Sequence, residues 1–145
     1  MDNKINKILI NKILKKGNNS PQELYTIAAS LGLEIKVISI YDLKEVKKNI
    51  NYIILITPSP EIKNGHWVAL RNNNYFDPYG VPPSQVLTSS IPNLKYSNHQ
   101  IQSLKMNYCG IFCIYWLYFM KKNKTYQKAM NDMMKYFYDY NTLKL

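Results

Sequence analysis

Cysteine, histidine, arginine and glycine are all scarce in this chain of 145 residues, which holds 2 Cys, 2 His and 5 Gly, with Arg71 its one arginine. Two cysteines make no disulfide framework, and Cys109 and Cys113 lie about one helical turn apart, where a bridge would constrain little. Zinc is excluded by the same shortage: His66 and His99 do not stand in the ligand spacing of a structural site. No run approaches the ~18 apolar residues that a membrane span needs. Lysines interrupt the N-terminal apolar stretch, so it does not read as a secretory signal, and a soluble intracellular protein is expected. Acidic residues number 9 against 19 basic ones, for a formal charge of +10. That charge attracts polyanions at low salt. Lysine dominance with abundant Asn, Ile and Tyr is also what an AT-rich genome produces, and scattered lysines ordinarily form a solvated surface.

What is present suffices for one domain over 1–145, because 46% hydrophobic residues can build a single core at this length. Ile5, Ile8, Leu9 and Ile13 recur at helical spacing among lysines, so residues 1–17 read as a basic amphipathic segment. Ser20-Pro21-Gln22-Glu23 is a capping box with proline at the first helical position, opening a helix that stops at Gly32. Strands are expected at Ile35–Ile40 and at Tyr52–Thr57, the second buried on both faces, with a short helix from Asp42 to Lys48 between them. A third strand, His66–Arg71, turns through Asn72-Asn73-Asn74 into Tyr75–Asp77. Residues 78–98, with four prolines, read as a long loop. Gln100–Leu104 reads as a last strand. Ile111–Met120 is apolar almost all round, the mark of a buried helix. Thr125 caps a final helix with Tyr126, Met130, Met133, Met134 and Phe137 on one face, a core stripe.

The chemistry gathers around Cys109. A thiol at the N-terminus of a buried helix meets the positive end of the helix dipole and free backbone N–H groups, which favour the nucleophilic thiolate. Such a nucleophile needs a base and a group that orients the base. His66 and Asp77 lie across a predicted hairpin, where antiparallel pairing can bring them to one edge. Gln102, seven residues before the cysteine, can join the Cys109 N–H in a two-donor oxyanion hole. Gly110 leaves room for a substrate backbone, and Trp67 can shield the imidazole from water. Each residue also has a structural reading on its own. His66 suits a half-buried strand, Asp77-Pro78-Tyr79-Gly80 suits a turn, and Cys109 suits a small core position.

Taken in order, Gly-His-Trp at 65–67, Tyr-Phe-Asp-Pro-Tyr-Gly at 75–80, Gln102 and Cys-Gly-Ile-Phe-Cys at 109–113 resemble the adenovirus-type maturation cysteine proteases. These adenain-like enzymes share a clan with the SUMO proteases. The resemblance covers about residues 20–122 and includes Ser20, Gln22-Glu23-Leu24, Leu31-Gly32 and Tyr41-Asp42. The gap from Gln102 to Cys109 matches the adenovirus branch. The connection from His66 to Asp77 is shorter than in those relatives, and Asp77 stands where the adenovirus enzymes carry Glu.

The resemblance implies an α+β fold, a mixed central β-sheet flanked by helices, with the catalytic Cys109 at the N-terminus of a buried helix. It implies Cys109 as nucleophile, His66 as general base and acid, Asp77 as the group that orients it, and Gln102 as oxyanion donor. Trp67 and Gly110 are the substrate-binding candidates. The expected activity is endopeptidase cleavage after small residues, Gly-Gly or Gly-x-Gly, in viral capsid or core precursor proteins. That activity belongs in the virion or virus factory of a virophage or related DNA virus. No cofactor or metal is expected, the protein is expected to be a monomer with no membrane contact, and DNA enters as an activator that the basic charge would attract. Two alternatives remain: a protease that deconjugates ubiquitin-like modifiers, and an inactive basic DNA-binding packaging protein.

Overall fold

The β-branched runs pair into one mixed sheet, with strands β1 (Lys36–Ser39), β2 (Asn51–Ile56), β3 (His66–Arg71) and β4 (Asn74–Phe76) in that spatial order. The computed structural model describes residues 20–62, 65–97, 100, 109–123 and 125–144, with 136–144 as backbone only. β1 runs parallel to β2, whereas β2–β3 and β3–β4 are antiparallel. Helices lie against both faces, so the architecture is α+β with a mixed four-stranded sheet among the described residues. The amphipathic segment 1–17 falls outside those residues, as does all of the expected strand Gln100–Leu104 but Gln100.

Helix α1 (Pro21–Ser30) begins as its capping box dictates: Ser20 Oγ accepts from the Glu23 N–H at 3.3 Å, and Glu23 Oε1 accepts from the Ser20 N–H at 2.9 Å. It ends where Gly32 enters the left-handed region at φ +68°, which glycine adopts without a Cβ penalty. The parallel β1–β2 pair needs a crossover, and a 3₁₀ helix over Ile40–Glu45 supplies it. This corrects the helix expected from Asp42 to Lys48. The cap is Ser39, whose Oγ accepts the Tyr41 N–H, and the turn puts Ile40 and Leu43 together in the core.

The segment 78–98 is also more ordered than a loop. It contains helix α2 (Gln85–Ser90), anchored by fully buried Leu87. The chain then returns to the sheet edge, where Lys95 bonds to both Asn73 and Tyr75 through backbone groups. Six residues and one anchor give little periodicity, and the surrounding prolines hide it.

Two cores sandwich the central strands. On one face Ile53, Trp67, Ala69 and Phe76 meet α1, α3 (Cys109–Asn123) and α4 (Tyr126–Lys144). On the other, Tyr52, Ile54, Val68, Leu70 and Tyr75 meet Ile40, Leu43, Leu87 and Ile91. α3 is apolar all round because it is enclosed: from Cys109 to Met120 every residue but half-buried Tyr118 is buried. Trp116 stacks on Phe76 with ring centroids 5.4 Å apart. Of the stripe expected on α4, Met130 and Met133 are buried and Tyr126 and Met134 half-buried; the Phe137 side chain is not among those described. Among the described residues no helix is long and apolar enough to cross a membrane.

Candidate active site

A two-residue turn, with Asn72 at φ +56°, joins β3 to β4 in the register Arg71↔Asn74, Leu70↔Tyr75, Ala69↔Phe76. That register brings the residue opening β3, His66, toward those just beyond β4. There Asp77-Pro78-Tyr79-Gly80 forms a turn, with the Gly80 N–H donating to the Asp77 carbonyl at 2.9 Å and Gly80 at φ +74°. The turn points the Asp77 carboxylate inward. Its Oδ1 accepts the Tyr79 N–H at 2.8 Å and lies 2.7 Å from His66 Nε2. Asp77 is only 6% exposed, so this buried charge is held by hydrogen bonds and by its histidine partner.

His66 is half-buried, and its ring stacks on Tyr79 at 4.5 Å between centroids. Burial by itself would depress the imidazole pKa. The Asp77 hydrogen bond, the nearby Cys109 sulfur and the charges of both outweigh it and lift His66 from 6.5 to about 9. With Nε2 committed to Asp77, the nitrogen left to exchange a proton with Cys109 is Nδ1, which is buried and without a hydrogen bond among the described residues.

Cys109 opens α3 and is 6% exposed. Its Sγ accepts the Trp67 N–H at 3.3 Å, so the helix head is tied directly to β3 beside His66. As the first residue of the helix its own N–H has no partner within the helix. Cys113, one turn on, is fully buried, and its thiol donates to the Trp67 carbonyl at 3.4 Å. Burial pushes the Cys113 thiol well above its ordinary range.

His66, Asp77 and Cys109 are therefore brought together, whereas Gln102 lies outside the described residues. Trp67 and Gly110 face inward. Trp67 is 8% exposed, and a Cβ placed on Gly110 would meet Leu24 Cδ2 at 2.7 Å and Trp67 Cδ1 at 3.2 Å. The space beside Gly110 is thus filled by this chain's own side chains. No local motif announces the stacking of Tyr79 on His66, but extending the hairpin register two residues past Asp77 places Tyr79 opposite His66. Among the described residues no three His, Cys, Asp or Glu side chains gather closely enough to hold a metal ion.

A buried sulfur, an imidazole that keeps its proton to about pH 9 and a carboxylate fixed on the far ring nitrogen can together store, move and return one proton at a nucleophile. No family model and no curated protein matches this chain.

Proposed function

We propose that this protein is a cysteine endopeptidase of the adenain-like kind, folded as those proteases are, and that it trims capsid or core precursors during virion maturation. The observation that carries the reading is the alignment of Asp77, His66 and the Cys109 helix head, with Asp77 Oδ1 2.7 Å from His66 Nε2.

In this mechanism His66 rests as an imidazolium beside the Cys109 thiolate, as its raised pKa implies, and the thiolate attacks the carbonyl carbon of the scissile bond. The oxygen of the tetrahedral intermediate takes the negative charge and is met by the Cys109 N–H and the Gln102 carboxamide. His66 gives its proton to the departing amine, the C–N bond breaks, and a thioester joins the acyl group to Cys109. His66, neutral after that step, takes a proton from water, whose hydroxide attacks the thioester and releases the acid, restoring the Cys109 thiolate beside the imidazolium. Asp77 holds the ring in one tautomer and stabilises the imidazolium at each stage. A nucleophile on a residue only 6% exposed favours a narrow acyl group, which agrees with glycine before the scissile bond.

The test is cleavage of a Leu-x-Gly-Gly-x peptide library by wild type and Cys109→Ala, with and without double-stranded DNA. Turnover by wild type alone is the expected result, and acceleration by DNA would give the basic charge a role. Absence of cleavage under both conditions, with ubiquitin-like vinyl-sulfone probes labelling Cys109, would turn the reading toward deconjugation. Salt-sensitive DNA binding unaffected by Cys109→Ala, with no thiol reactivity, would replace it by a packaging protein.

A further inference from the structure

Trp67 is where β3 loses its neighbour on one side. The two-residue turn makes Arg71 and Asn74 a pair whose backbone groups face each other across the hairpin. Alternation along the strand then directs the N–H and C=O of Ala69 and Trp67 to that same side. Counting on from Ala69↔Phe76, the residue that would face Trp67 is Pro78, and β4 has already ended. Proline has no N–H to offer the Trp67 carbonyl, so the ladder cannot continue. Both backbone groups of a buried residue must still find partners. Here both partners are sulfur: Trp67 N–H donates to Cys109 Sγ, and Cys113 Sγ–H donates to Trp67 C=O. Two thiols one helical turn apart stand in for the missing strand.

We infer that Cys113 is a positioning residue: by holding the Trp67 carbonyl it aims the Trp67 N–H at the Cys109 sulfur and keeps the adjoining His66 in line with Asp77. The inference rests on the reading of Cys109 as a nucleophile. A backbone N–H directed at sulfur favours the anion that attacks. Burial keeps Cys113 a neutral thiol, hence a donor.

Wild type, Cys113→Ala and Cys113→Ser are to be compared in three readouts. These are the rate of Cys109 alkylation by iodoacetamide below the usual thiol range, kcat and KM on a cleaved peptide, and the NMR shift of the Trp67 amide proton. Cys113→Ala is expected to slow alkylation and lower kcat about tenfold, the equivalent of one modest interaction, with KM unchanged and the Trp67 amide signal displaced. Cys113→Ser, which keeps a donor, recovers most of each. If Cys113→Ala does not fold, Cys113→Val, which fills the site without a donor, is read in its place. Lowered melting temperature with all three readouts at wild-type values would make Cys113 core packing alone and overturn the inference. A wild-type Cys109 alkylated no faster than glutathione would instead overturn the peptidase reading, and the inference with it, whatever the Cys113 variants do.

Discussion

His66 and Asp77 stand eleven residues apart in the chain and 2.7 Å apart from Nε2 to Oδ1. The charge across that contact, rather than its shape, is what a proton-handling role requires. Asp77→Asn keeps the size of the side chain and its capacity for hydrogen bonding but presents no anion. Peptide hydrolysis is expected to fall about 10²- to 10⁴-fold in kcat. An alkaline decline is expected of wild type near pH 9, from His66, and should move toward neutrality in the variant. Unchanged kcat would reduce Asp77 to a turn residue.

The same pair makes stability depend on pH. The folded His66 pKa is raised from 6.5 to about 9, so between those values the native state holds a proton that the unfolded chain has released. The unfolded state binds fewer protons there, and stability falls as pH rises. The stabilisation is complete below 6.5 and is lost through about 9, a change of roughly 3 kcal/mol for this shift. Urea denaturation of wild type across that window, beside His66→Ala, checks both sign and size. A flat difference between the two would refute it.

Gly65 carries no side chain because none fits. A Cβ there would collide with the Ile56 carbonyl oxygen and press on Thr57 Cγ2 at 2.8 Å. A backbone carbonyl cannot swing aside as a side-chain tip can. Gly65→Ala is therefore expected to displace the start of β3 and His66 with it, abolishing activity and costing more than about 1–3 kcal/mol, the usual penalty of overpacking. Chemical denaturation and hydrolysis assays read the two effects, and a variant near wild type in both would contradict the placement.

Gly110→Ala offers a milder clash, against Leu24 Cδ2 at 2.7 Å and Trp67 Cδ1 at 3.2 Å. Leu24 is fully buried and has little room to retreat. The substitution should cost about 1–3 kcal/mol, and Leu24→Ala in the same chain should add less than its own separate penalty, since it removes the clash. Additive denaturation energies would show that Leu24 is not the obstruction.

Much of this was legible because the rules involved are local. Ser20 and Glu23 announce a helix start within four residues, Gly32 announces its end, and the run from Tyr52 to Thr57 can be little but a buried strand. His66 and Asp77 were legible as a pair because a hairpin converts sequence spacing into proximity. The elements that differed depend on distant partners. The 3₁₀ helix exists because Ile40 and Leu43 must both reach the core, and α2 because Leu87 does. Cys113 gave no sign of its bond to Trp67, since nothing in its neighbourhood reveals that β4 stops short and leaves a carbonyl without a partner.

The enclosure of α3 has a consequence for how the molecule fails. Segments bounded by solvent open and close far below the free energy of global unfolding, whereas a helix packed on every side exchanges its amide protons only when the whole domain comes apart. The sulfur of Cys109 is fastened to the head of such a helix. Warming should therefore leave Cys109 in its native setting until the melting transition itself, and exposure of the thiol and loss of the near-ultraviolet signal of Trp116 should follow one curve.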